Sequence, residues 1–154
     1  MITLRVADTN DAVRLSELLC SSIRELCEAD HGNKPDVIAA WTANKTPENL
    51  VGWIGNSRLT LILAERNQEP AGLGGICHDG EVLLNYVTPS HRYSGISDAI
   101  LRRLEDELVR QGIENARLTS TETAHQFYLD RGWRDTGEPE RKFGVVGFPM
   151  EKTL

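Results

Sequence analysis

Asn85-Tyr86-Val87-Thr88-Pro89-Ser90-His91-Arg92-Tyr93-Ser94-Gly95-Ile96-Ser97 is the stretch whose reading decides the fold. A strand ends at Val87, Thr88-Pro89 turns the chain, and a long helix opens at Ile96. Ile96, Ile100, Leu101, Leu104 and Leu108 recur at three- and four-residue steps along that helix, and Gly112 is placed to stop it. The first turn of a helix carries four unpaired N–H groups and the positive end of the helix dipole, a ready anion site. Gly95 lets backbone approach a ligand without an intervening Cβ, and Arg92 adds a cation beside it. Taken alone, Gly95 also reads as a plain tight turn and Arg92 as a solvated surface charge.

Working outward, Leu59 to Glu65, Ala71 to Cys77 and Glu81 to Val87 form a three-strand meander, with turns at Asn67 to Pro70 and His78 to Gly80. Further upstream, Ile2 to Val6 is a short strand. The apolar steps Leu15, Leu18, Leu19, Ile23 and Leu26 then predict an amphipathic helix ending near Gly32. Pro35 opens a second helix, and Thr46-Pro47-Glu48 starts a third. Downstream, a strand at Ala116 to Thr119 precedes a helix holding Ala124, Phe127 and Tyr128, which Gly132 closes. Two last strands fit Trp133 to Thr136 and Val145 to Met150. The order is that of a mixed α/β layer fold, read as one domain over residues 1–154.

Composition narrows the function. The chain has 154 residues, 40% hydrophobic and 26% charged, as a globular domain does. Arg5, Asp8, Asp11, Arg14 and Glu17 interrupt any leader-like apolar stretch, and no apolar run approaches a bilayer crossing. Seventeen basic against 23 acidic residues gives a net charge of −6, which as a whole attracts neither nucleic acid nor anionic membranes. A cationic amine is an easier partner. Cys20, Cys27 and Cys77 are too few and odd in number for a disulfide framework, and they read as reduced thiols of a cytoplasmic protein. No His/Cys spacing fits a metal site, so no metal is expected.

A second motif joins the first. Thr123-Ala124-His125-Gln126-Phe127-Tyr128-Leu129-Asp130-Arg131-Gly132-Trp133 carries adjacent aromatics on a short helix, then glycine and another aromatic. With the loop and the meander, the segment from Glu81 to Trp133 resembles the GNAT superfamily of acetyl-CoA-dependent N-acetyltransferases. That family's cofactor loop reads Gln/Arg-x-x-Gly-x-Gly/Ala after a strand ending in Val-x-Pro. Val87-Thr88-Pro89 and Arg92-Tyr93-Ser94-Gly95-Ile96-Ser97 follow it, with serine at the last position.

The resemblance implies a GNAT-like fold: a mostly antiparallel twisted sheet, split near its middle and flanked by helices on both faces. It implies backbone amides from Tyr93 to Asp98 on the CoA pyrophosphate, and Asn85, Tyr86 and Val87 beside the pantetheine arm as an added strand. Asp98 sets a negative charge near those phosphates. Tyr128 falls where the family serves the departing thiolate. A phenol pKa near 10 against about 8.5 for a thiol favours a hydrogen bond over full proton transfer. Glu81 falls where some members carry a general-base glutamate, and it reads equally as a solvated turn residue. Thr121 stands where relatives often have a cofactor-binding Asn, and it is also a candidate helix N-cap.

For the acceptor, the family's first helices and their connection nominate Cys27, Glu28 and His31, with Asp30 and Trp41 beside them. The expected activity is acetyl transfer from acetyl-CoA to the amine of a small molecule or peptide, by direct attack on the thioester. Many members form homodimers. A non-catalytic acyl-CoA-binding module is the alternative, and a generic nucleotide-phosphate site is a third reading.

Overall fold

The computed structural model describes residues 1–154. The chain runs β1 (Ile2–Val6), α1 (Ala12–Leu26), α2 (Glu28–His31), α3 (Pro35–Thr42), α4 (Pro47–Ile54), β2 (Leu59–Arg66), β3 (Glu69–Cys77) and β4 (Glu81–Val87). It continues α5 (Ile96–Arg110), β5 (Asn115–Ser120), α6 (His125–Leu129), β6 (Arg134–Asp135), β7 (Glu140–Lys142) and β8 (Val145–Thr153). The strands form one sheet in the order β1-β2-β3-β4-β5-β8-β6, with β7 pairing only β8. Every pairing is antiparallel except β4 with β5.

Helices cover both faces, so the central strands read as continuous apolar runs. In β2 the four residues Leu61 to Ala64 are all buried. Leu61 and Leu63 pack with Leu15, Leu18, Leu19 and Leu50 of α1 and α4. Ile62 and Ala64 pack with Ile100, Leu101, Leu104 and Leu108 of α5, so the apolar stripe predicted for that helix is its core face. The glycines of β3 set how closely α5 sits. A Cβ at Gly74 would lie 2.3 Å from Ile100 Cγ2, and one at Gly72 would lie 2.7 Å from Ile100 Cδ1.

The parallel junction is where the sheet opens. β4 and β5 share one register pair, Glu81 with Arg117, supported by the Arg117 N–H donating to Gly80 O at 3.0 Å. Beyond it the strands part. β4 is also bent: Gly75 faces Leu84 and Ile76 faces Val82, leaving Leu83 unpaired in a bulge.

Two elements depart from the sequence expectation. The helix predicted to run to Gly32 breaks at Cys27 (φ −107°, ψ 33°), and α2 then ends on left-handed Gly32. The break turns His31 inward, where its Nε2 lies 2.8 Å from Ile23 O. Apolar spacing carries no mark of it, because Cys27 stays buried on either side of the kink. The strand β7 was also unexpected: its three residues are all exposed, so nothing but pairing with β8 defines it. No helix is long and apolar enough to cross a membrane.

Candidate active site

The parted strands flank a cleft of about 490 Å³. One wall is Ser22 and Leu26 of α1 and Cys27 at its end, with Asn85, Tyr86 and Val87 of β4. The floor is the loop from His91 and the start of α5 through Asp98. The other wall is Thr121, Thr123 and Ala124, Phe127 and Tyr128 of α6, and Arg131 just beyond it. The structure thus brings Asn85, Tyr86, Val87, Arg92, Tyr93, Ser94, Gly95, Ile96, Ser97, Asp98, Thr121, Cys27 and Tyr128 together in one place.

The loop is built for close approach. Gly95 has φ +85° and caps α5, and nothing lies within 4 Å of where its Cβ would be. Tyr93 also takes a left-handed φ of +62°; its ring is 90% exposed, with the Arg92 guanidinium 4.6 Å from the ring centre. Thr88 and His91 are linked side chain to side chain at 2.6 Å, and the Ser94 hydroxyl donates to His91 O.

Asn85 ties the β4 wall to the helix start. Its Nδ2 donates to Ser97 O at 3.3 Å, while its Oδ1 is buried without a hydrogen-bond partner. A buried acceptor without a donor is costly in a native fold and marks a place where a ligand donor fits. Asp98 does not stand as a bare negative charge. Arg131 Nε lies 2.8 Å from one carboxylate oxygen and Arg102 Nε 3.0 Å from the other, and Arg131 first holds the carboxyl below its usual range. Arg131 also lies 3.7 Å above the Phe127 ring. Sequence reasoning missed this residue; the signal was a cation one turn after Phe127, just before the closing Gly132.

Tyr128 is 6% exposed, its ring edge-on to Phe127 and Trp133 at 5.2 and 6.0 Å. Burial pushes its hydroxyl up to about 12, the Asn85 side chain offsetting only part. The group is therefore a standing proton donor. Burial likewise pushes the Cys27 thiol up to about 12, which keeps it a neutral wall residue. The Thr121 hydroxyl accepts the Ala124 N–H at 3.1 Å, so it caps the turn into α6 while lining the cleft.

Glu81, Glu28, Asp30, His31 and Trp41, also nominated from the sequence, lie outside this cleft. Glu81 sits at the closed end of the split, roughly 17 Å along β4 from Tyr86 at about 3.3 Å per residue. There it lines a second cavity of about 470 Å³ and lies 3.5 Å from Arg117. His31 is 1% exposed, with Nε2 on Ile23 O and Nδ1 accepting the Asn33 N–H at 2.9 Å, so neither nitrogen is free for an acceptor. Glu28 is exposed on the short α2, outside the cleft. Trp41 is 5% exposed and packs with Ile23 and Cys27 as core. No three His, Cys, Asp or Glu side chains gather as a metal site needs.

Comparison with known proteins gives this geometry a context. Residues 18–154 match the family model of the acetyltransferase (GNAT) domain. No curated protein sequence matches the chain. A GCN5-related N-acetyltransferase of Rhodopseudomonas palustris superposes with a TM-score of 0.88 at 18% identity, covering 99% of this chain and 95% of that one. PaiA N-acetyltransferase of Thermoplasma acidophilum, solved with coenzyme A, gives 0.80 at 20% identity over 100% and 99% of the two chains. YncA of Salmonella typhimurium, solved with acetyl-CoA, gives 0.69 at 20% identity over 100% and 94%. At such identities the likeness is one of fold.

Proposed function

The chain belongs to the GNAT acetyltransferase family, and from that premise we propose that it transfers an acetyl group from acetyl-CoA to a primary amine. We read residues 1–154 as one catalytic domain, and its three free cysteines favour a cytoplasmic setting. One observation carries the reading: a single cleft beside β4 is lined both by the α5 N-terminus at Gly95 and by the buried, hydroxyl-bearing Tyr128.

The residues fit the donor. The open space at Gly95 and the N–H groups of the first α5 turn suit a pyrophosphate, with Arg92 as the nearby cation. The pairing of Asp98 with Arg131 and Arg102 removes the repulsion that a lone carboxylate would bring to it. The free Asn85 Oδ1 and the unpaired edge of β4 suit the amides of an extended pantetheine arm.

Bound acetyl-CoA supplies an acyl group activated as a thioester. Backbone N–H near Tyr86 and Val87 holds the carbonyl oxygen as it gains charge. The Tyr128 hydroxyl donates to the sulfur as the C–S bond weakens. With the phenol near 12 and a thiol near 8.5, handing over the proton outright is uphill by about 5 kcal/mol, so Tyr128 acts by a strengthening hydrogen bond. The acceptor amine attacks in its neutral form, the C–S bond breaks to release CoA as a thiolate held by the Tyr128 hydroxyl, and the new amide nitrogen gives its surplus proton to water.

Glu81 lies far along β4 from that chemistry and beside Arg117, which favours a second reading: an acyl-CoA-binding module without turnover. Thiol release from acetyl-CoA across a panel of primary amines separates the two. Transfer to any amine supports the enzyme; tight CoA binding with no release from any amine supports the module.

A further inference from the structure

Beyond the Glu81–Arg117 pair no backbone ladder joins β4 to β5, so the cleft width depends on side chains that cross it. Asp30 of α2 does so. Its Oδ1 accepts the Glu122 N–H at 2.7 Å, and its Oδ2 accepts the Thr123 N–H at 3.3 Å and the Thr123 hydroxyl. The partners are 92 and 93 residues away in sequence, on the loop that leads from β5 into α6. One carboxylate on the wall that bears Cys27 thus holds three donors on the wall that bears Tyr128.

We propose that Asp30 is a positioning residue: it fixes the β5–α6 loop across the split and thereby sets where Tyr128 meets the acyl end of the donor. Asp30 does not line the cleft, whereas Thr121, Thr123, Ala124 and Tyr128 on the element it grips all do. Thr121 extends the effect, because its hydroxyl holds the Ala124 N–H at the start of the same helix. The break at Cys27 supplies the geometry, since α2 projects Asp30 toward the loop only because α1 stops there. None of the three Asp30 contacts is made to α5, whose link to the α6 wall is the separate Asp98–Arg131 pair. The inference rests on the acyl-donor reading above for its consequence in turnover, though not for the latch itself.

The test uses the full chain carrying Asp30→Ala, with Asp30→Asn, which keeps one acceptor oxygen, as the milder variant. Amide hydrogen exchange at Glu122 and Thr123 should accelerate in Asp30→Ala and less so in Asp30→Asn. CoA affinity and single-turnover acetyl transfer should each fall on the order of tenfold, as small misplacements of reacting groups do. Affinity for 3′-phosphoadenosine diphosphate, which lacks the pantetheine arm, should stay at the parent's value. Unchanged exchange at both amides would overturn the latch. Parallel loss of CoA and of the nucleotide head would overturn the positioning role in favour of general damage. A parent that binds no CoA would sink the acyl-donor reading, and the exchange measurement would still decide the latch.

Discussion

At the scale of single residues, Tyr128 and Gly95 make the sharpest demands. Tyr128→Phe keeps the edge-on ring contacts with Phe127 and Trp133 and deletes one hydroxyl. The lost bond is to charge that forms only as the thioester breaks, so kcat should fall while acetyl-CoA affinity holds. A charge-assisted hydrogen bond of about 1.5–3 kcal/mol corresponds to roughly 10- to 150-fold, read by single-turnover transfer to a responsive amine. Because burial raises the Tyr128 pKa to about 12, the donor form persists through alkaline solution. The parent's kcat should therefore show no loss from this group as pH rises to about 10, where an ordinary phenol would already be half ionised. At Gly95 the φ of +85° and the empty space around a would-be Cβ separate folding from binding. Gly95→Val pays roughly 1–2 kcal/mol of local strain, meets no core atom, and fills the space a pyrophosphate would use. Calorimetry should find CoA affinity down by an order of magnitude or more in a protein that still unfolds cooperatively.

Among elements, the seating of α5 on β3 governs the site, since that helix carries the phosphate floor at its N-terminus. Gly74→Ala sets a Cβ 2.3 Å from Ile100 Cγ2 and 3.0 Å from Leu104 Cδ1, both in the packed face of the helix. Overpacking of this kind costs roughly 1–3 kcal/mol, and urea denaturation should register it as a lower midpoint with an unchanged slope. Much of this arrangement is legible in the sequence. The stripe from Ile96 to Leu108 is a local pattern that burial reproduces, and the meander strands are marked by apolar runs between turn residues. The loop residues and Tyr128 come from the resemblance of two separate segments to family motifs, and they line one cleft. What escaped has no local period. The turn at Cys27 leaves burial unchanged, β7 exists only through its partner, and Asp30 finds Glu122 across 92 residues. Motif position nominates Glu81 and helix order nominates His31, and neither signal reports which way a side chain finally faces.

Over the whole molecule, the N-terminal strand is stapled to the rest by one buried carboxylate. Asp11, 2% exposed, takes Arg5 Nη1 at 2.8 Å, Arg14 Nη2 at 2.9 Å and the Asp8 N–H at 2.8 Å, while Arg5 also reaches Glu65 of β2. Arg5 above all holds the Asp11 carboxyl well below the usual carboxylate range. A depressed carboxyl stabilises the fold above its unfolded pKa of about 3.9 and ceases to do so as pH falls toward its folded value. With both guanidiniums partly in water, Asp11→Ala should cost about 2 kcal/mol at pH 7. The gap between parent and variant in urea midpoints should narrow steadily below about pH 4. The single bridge between β4 and β5 has a consequence of another kind. An interrupted sheet has four rims rather than two, and exposed rims are where chains of different molecules zip together into aggregates. Here the two extra rims face each other across a slot walled by α1 and α6, reachable by one slender extended arm but not by a strand still attached to a folded neighbour. The protein can thus leave main-chain donors and acceptors open for a small partner without offering them to its own kind.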